Sequence, residues 1–177
     1  MNQTRLFLVT ILILSMLSIT ILNQATLAIT PTTNTAITIN NSRTFTDKGI
    51  SLSNVGKCNE AMVYFNQSLE INPNDIRAMD GKGSCLDHFG KYKEAVGYFN
   101  QVLEINPNDA SIWYNRGLSL GSLGRFEEAI LSFEEAIRKK PDLALAWNNK
   151  GTALGNLGRG DEAQNCFNKA KQLGLNK

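Results

Sequence analysis

The chain of 177 residues is poor in the side chains on which most chemistry depends. It has one histidine and three cysteines, too few for a Cys/His zinc cluster or a disulfide scaffold. Neither sign of charge dominates: 18 basic against 16 acidic residues leave a net charge of +2. A nucleic-acid footprint needs clustered positive charge, and this balance gives it no support. Disorder is excluded from the other side, because 42% of the residues are apolar and a chain that cannot fold carries fewer. Prolines number only four, and three of them recur at one spacing. No catalytic constellation, metal site or cofactor is expected from such material.

What is present begins with an apolar run. Arg5 precedes Leu6–Leu22, a stretch of Leu, Ile, Val, Phe and Met with scattered Thr and Ser. A charged start, an apolar run and then small residues form the pattern of a signal peptide. Thr26-Leu27-Ala28 places small residues at −3 and −1 of a cleavage point after Ala28. The run also meets the lower limit for spanning a bilayer, so an uncleaved signal anchor with a hydrophobic N-terminal helix is the competing reading. Either way the expectation is an extracytoplasmic chain, secreted or membrane-anchored. Residues 29–41, ITPTTNTAITINN, are uncharged and rich in Thr and Asn; they read as a flexible linker. In an exported chain, Asn40-Asn41-Ser42 and Asn66-Gln67-Ser68 have the glycan-acceptor pattern.

The rest is one motif written four times. Gly49, Gly83, Gly117 and Gly151 are spaced by 34, and so are Leu52, Leu86, Leu120 and Leu154. The same period relates Gly56 to Gly158, Ala61 to Ala163 and Phe65 to Phe167, with Pro73, Pro107 and Pro141 closing the first three units. The units are 42–75, 76–109, 110–143 and 144–177. Within 110–143, Trp113, Gly117, Leu120 and Leu123 form one helical stripe. Gly124 ends that helix, and Glu127 and Glu128 open the next at its positive pole. Ala129, Phe133, Ala136 and Ile137 line its buried face, Pro141 stops it, and Asp142 is expected to cap the following unit. Gly117 and Ala129 allow a close helix approach beside Phe133.

This pattern resembles the tetratricopeptide repeat family, carried by Trp113, Gly117, Leu120, Ala129, Phe133, Ala136 and Pro141. The resemblance covers 42–177. It departs where Phe45 and Met79 replace Trp, where Lys48, Lys82, Arg116 and Lys150 replace a common Leu, and where Ser68 and Val102 replace a small Ala. It implies an all-α fold: a right-handed superhelical solenoid of four helix-turn-helix units, eight antiparallel helices in all. It also implies a non-catalytic scaffold for protein or peptide partners.

The remaining motifs have plainer readings. Gly81-Lys82-Gly83 lacks the Gly and the Ser/Thr of a phosphate loop, so Gly83 is read as a packing glycine. His88 falls on a polar side with no ligand partner. Asn72-Pro73-Asn74-Asp75 and its copy at 106–109 lack the Asp-x-Asp-x-Asp-Gly of a calcium loop and read as inter-repeat turns. Cys58 and Cys85 are brought toward each other by their unit positions; they read as packed thiols, with a disulfide as the alternative, and Cys166 has no mate.

A helical wheel of each first helix puts unit positions 2, 5, 9 and 12 opposite the buried stripe, on the concave side of a stacked array. These are Arg43, Thr46, Ile50 and Ser53; Arg77, Asp80, Ser84 and Asp87; Ser111, Tyr114, Leu118 and Gly121; and Leu145, Asn148 and Thr152, with Asn156 at position 13 taken in place of Gly155. Apolar Ile50, Tyr114, Leu118 and Leu145 suggest a groove for a short, partly apolar peptide. At the far end, Gln164 and Lys171 replace the apolar residues of earlier units (Met62, Val96, Ile130 and Leu69, Leu103, Ile137). That change predicts a self-capping end and a monomer. A self-associating structural spacer in an extracytoplasmic complex is the alternative function.

Overall fold

The computed structural model describes residues 31–175, with side chains from Asn40 onward. Sequence expectations for 1–28 lie outside the described residues. The chain divides between Asn41 and Ser42 into two units. Eight helices follow in order among the described residues: α1 (Pro31–Asn54), α2 (Cys58–Ile71), α3 (Ile76–His88), α4 (Tyr92–Ile105), α5 (Ala110–Ser122), α6 (Phe126–Lys139), α7 (Ala144–Asn156) and α8 (Gly160–Gln172). No strand occurs among the described residues. Each repeat is a hairpin of two consecutive helices, and consecutive hairpins pack as an all-α solenoid.

Two helix starts differ from expectation. Helix α1 begins at Pro31, so residues 31–41, read as a flexible linker, have helical backbone. Proline suits the first helical position, and extending an existing helix costs far less than starting one. The cap of α7 is Leu143, without a side-chain bond, and not Asp142. Asp75 and Asp109 occupy that register in the earlier units. Asp109 Oδ1 accepts from the Ser111 amide at 2.9 Å, and Asp75 Oδ1 from the Arg77 and Ala78 amides. Asp142 stands one residue too early to do the same.

The turn inside each hairpin uses glycine's conformational freedom. Gly124 sits at φ 73°, a left-handed backbone that L side chains resist. The turn returns the Arg125 amide to the Leu120 carbonyl at 3.0 Å, satisfying a carbonyl that the helix end would leave bare.

Glycine does a different task at the helix crossings. A Cβ on Gly49, Gly83, Gly117 or Gly151 would lie 2.6–2.8 Å from the ring of Phe65, Phe99, Phe133 or Phe167. The expected close approach is therefore built four times. Gly81 meets Phe65 from the next repeat as well, where a Cβ would stand 2.3 Å from the ring. Both glycines of Gly81-Lys82-Gly83 are packing residues.

Between repeats, the basic residues that depart from the family pattern form polar ties. Lys82 Nζ donates to Asn66 Oδ1 at 2.5 Å, and Arg116 Nε donates to Asn100 Oδ1 at 2.6 Å. Lys150 Nζ lies 2.7 Å from Glu134 Oε1. Each reaches back to the second helix of the preceding unit. Their cationic ends lie over Tyr98, Trp113 and Trp147, so the stems cover apolar surface while the charge finds a partner. Trp113 and Trp147 fix the turns by donating Nε1 to the carbonyls of Pro107 and Pro141 at 2.9 and 3.0 Å.

Candidate groove along the first helices

The first helices of neighbouring repeats run side by side, and two clefts open between them. The cleft of repeats one and two, about 320 Å³, is lined by Ile50, Ser53 and Asn54 of α1, and by Arg77, Asp80 and Ser84 of α3, with Phe65 at its floor. The cleft of repeats three and four, about 260 Å³, is lined by Leu118 and Gly121 of α5 and by Asn149, Thr152 and Asn156 of α7, with Phe133 at its floor. The two floors are the same unit position. Gly81 and Gly117 have no side chain to stand in front of the rings, so each ring closes the back of its cleft while staying buried, Phe65 at 0% and Phe133 at 2% exposure.

Several expected groove residues therefore come together: Ile50, Ser53, Arg77, Asp80 and Ser84 in one cleft, and Leu118, Gly121, Thr152 and Asn156 in the other. Arg43, Ser111 and Leu145 are exposed. The others fall in the seams between repeats. Thr46, expected on the binding surface, is fully buried. Its hydroxyl donates to Asp75 Oδ2 at 2.7 Å, joined there by Ser68 at 3.0 Å and Ser42 at 3.2 Å. Three hydroxyls thus converge on one carboxylate oxygen while the other caps α3. Burial acts to raise the Asp75 pKa, but the bonds from Thr46, Ser68, Ala78 and Ser42 outweigh it and hold the carboxyl below its usual range.

The next two repeats fill the same seam differently. Asp80 lies at the register of Thr46, and its carboxyl is hydrogen-bonded to Asn115 and Ser84. Its Oδ1 is buried without a partner. Burial, with the Asp109 carboxylate adding to it, pushes Asp80 up to about 6 against those two hydrogen bonds. Tyr114, the third member, is half-buried, 6.0 Å from the Phe133 ring, and its hydroxyl accepts from Asn149 Nδ2 at 3.0 Å. Burial raises its pKa despite that bond. Asp87 accepts from Ser119 across the seam of repeats two and three, where Asp80 lies. Asn148, in the last described repeat, lines a cleft of about 380 Å³ beside α8, with Gln164, Phe167, Asn168, Ala170, Lys171 and Leu175.

The wheel missed Asn54, Asn149 and the phenylalanine floors. Only the 34-residue register, which puts Phe65 and Phe133 at one unit position, could have signalled the floors. Among the described residues, no group of three or more His, Cys, Asp and Glu side chains is placed to hold a metal ion. No helix among them is long and apolar enough to cross a membrane.

Stacked helical hairpins with a recessed face define a repeat scaffold for protein interactions. Tetratricopeptide repeat models match residues 42–75, 90–124, 110–143 and 144–173, and the chain belongs to the tetratricopeptide repeat family. Solved structures of MamA are similar in fold. A crystal structure of MamA is 25% identical with a TM-score of 0.72, over 76% of this chain and 78% of that one. MamA 41-end from Desulfovibrio magneticus RS-1 is 25% identical with a TM-score of 0.72, over 76% of both chains. MamA AMB-1 is 29% identical with a TM-score of 0.64, over 71% of this chain and 74% of that one. No curated protein matches the sequence.

Proposed function

We propose that the chain is an extracytoplasmic interaction scaffold that binds a peptide segment of a partner protein along the two clefts. The observation that carries this reading is the pair of clefts floored by Phe65 and Phe133. Each sets an apolar side chain, Ile50 or Leu118, beside amide and hydroxyl groups, the combination that anchors one side chain and steadies a peptide backbone. A photo-crosslinking amino acid at Ile50 or Leu118, in cells of the native host, tests it. Partner adducts should form from both positions and not from exposed Val63 or Leu131 on the second helices. Adducts from Val63 and Leu131 alone would place the interaction on the other face.

The extracytoplasmic part rests on Arg5 and the Leu6–Leu22 run. Intact full-length chain in the soluble cytoplasm of the host would refute it. A membrane-bound chain with an intact N-terminus would select the anchor over the cleaved signal. Polar Gln164 and Lys171 are exposed on α8 and favour a monomer. The cleft beside them favours the self-associating spacer instead, and sedimentation of the chain at micromolar concentration separates the two.

A further inference from the structure

The first junction between repeats carries a pair of thiols that the peptide-binding reading does not use. Cys58 is the first residue of α2, and Cys85 lies in the last turn of α3. They belong to different repeats, yet Sγ of Cys85 lies 2.7 Å from Sγ of Cys58. A bonded pair of sulfurs stands about 2.0 Å apart, so the missing displacement is well under one ångström. Both are free cysteines. Cys85 is wholly buried, and Cys58 keeps 7% exposure beside the exposed turn of Gly56 and Lys57. Ser53, on the wall of the first cleft, lies 3.6 Å from Cys85 Sγ and 3.9 Å from Cys58 Sγ.

We propose that Cys58 and Cys85 are an oxidation site: they close into a disulfide that staples the first repeat to the second. The oxidant is a small-molecule disulfide such as oxidised glutathione. The Cys58 thiolate attacks one of its sulfurs, forming a mixed disulfide and releasing one thiol. Cys85 then loses its proton and attacks Cys58 Sγ, releasing the second thiol. Two S–H bonds are lost from the protein, one S–S bond forms, and the two electrons and two protons reside in the two small thiols.

Three features favour this pairing. The geometry needs no rearrangement of either helix. Cys166 is in the fourth repeat, packed with Ile130, Ala153 and Leu154, and cannot compete for either partner. Burial, reinforced by the Cys58 neighbour, pushes the Cys85 thiol up to about 12. Cys85 therefore stays protonated while Cys58 forms the mixed disulfide, which orders the two steps. The closed loop runs from Cys58 to Cys85 through the inter-repeat turn. Chain-entropy arguments for a loop of this length predict that the unfolding equilibrium of the stapled region falls by between two and three orders of magnitude, roughly 400-fold.

The test refolds the full chain in glutathione buffers spanning reducing to oxidising poise, then alkylates free thiols and measures intact mass and peptide map. Refolding removes any barrier that burial places before the oxidant. The expected result is a species with one alkyl group, on Cys166, whose mass before alkylation is about two units below that of the reduced chain, and a Cys58–Cys85 linked peptide. Amide exchange in α2 and α3 should slow in that species relative to the reduced chain. Cys85→Ala, the residue that repeat four carries at this register as Ala153, should instead give a stable glutathione adduct on Cys58. Three alkylated cysteines at the most oxidising poise, a glutathione adduct on Cys58 in the unmodified chain, or a linked peptide containing Cys166 would each overturn the proposal.

Discussion

Gly117 and Gly121 lie one helical turn apart on α5, and alanine at the two should have effects of opposite sign. At Gly117 a Cβ would stand 2.6, 2.8 and 3.0 Å from three atoms of the Phe133 ring. That ring is 2% exposed and packs with Val96, Leu120 and Ala129, so it cannot swing clear. Overpacking of this kind costs about 1–3 kcal/mol. Alanine's better helix propensity returns up to about 1 kcal/mol, leaving a net loss of up to about 2 kcal/mol. At Gly121 a Cβ meets nothing within 4 Å, and the backbone φ is not positive. Only the propensity acts there, and Gly121→Ala should be neutral or stabilising by up to about 1 kcal/mol. Urea unfolding of the full chain, followed by circular dichroism, measures both. Phe133→Leu in the Gly117→Ala background should relieve the clash, so the two penalties should fall short of adding by about 1 kcal/mol. A Gly117→Ala chain as stable as Gly121→Ala would refute the account of how the two helices of a repeat are held together.

Two further predictions concern carboxylates. Asp80 has a folded pKa of about 6 against a usual value of 3.8, so its stabilising contribution is full below pH ~4 and is lost as pH rises through ~6. Asp80→Asn should therefore raise the unfolding free energy from urea titration at pH 7 by about 1–2 kcal/mol and flatten the profile between those pH values. Asp75 has the opposite sign: its folded pKa is lowered, so its contribution is present above its unfolded value and is lost as acid protonates it. Asp75→Ala removes a helix cap and leaves the Ser42, Thr46 and Ser68 hydroxyls without their acceptor. The loss at pH 7 should be about 2–4 kcal/mol, and amide exchange should localise it to α1–α3.

The hairpins and their contacts were legible because they depend on near neighbours in the sequence. The 34-residue period, the turn glycines and the pairing of Gly117 with Phe133 follow from one repeat. The seams were not legible. A wheel drawn for one helix treats unit position 5 as solvent-facing, but the next repeat's first helix lies against it. Thr46 is thus buried on Asp75, and Tyr114 is tied to Asn149 and tilted against the Phe133 ring. Replacing Tyr114 by alanine would damage the core and the groove together, so Leu118 is the cleaner probe. The basic residues at unit position 7 illustrate the same limit. Lys82, Arg116 and Lys150 look like surface charges until the preceding repeat supplies Asn66, Asn100 and Glu134. Proximity of Cys58 to Cys85 was readable, since their unit positions face one junction.

The claim that the clefts bind a peptide segment is tested most directly by one affinity comparison. Peptides are selected on the full chain from a random display library, and the best is titrated against Leu118→Ser and Leu131→Ser. Serine and threonine already occupy the register of Leu118, as Ser84 and Thr152, so the fold accepts the first change. Leu131 is 61% exposed on α6, so the second change is also tolerated. The account predicts at least a tenfold weaker Kd for Leu118→Ser, about 1.4 kcal/mol, and an unchanged Kd for Leu131→Ser. Unchanged binding by Leu118→Ser with loss in Leu131→Ser would contradict it.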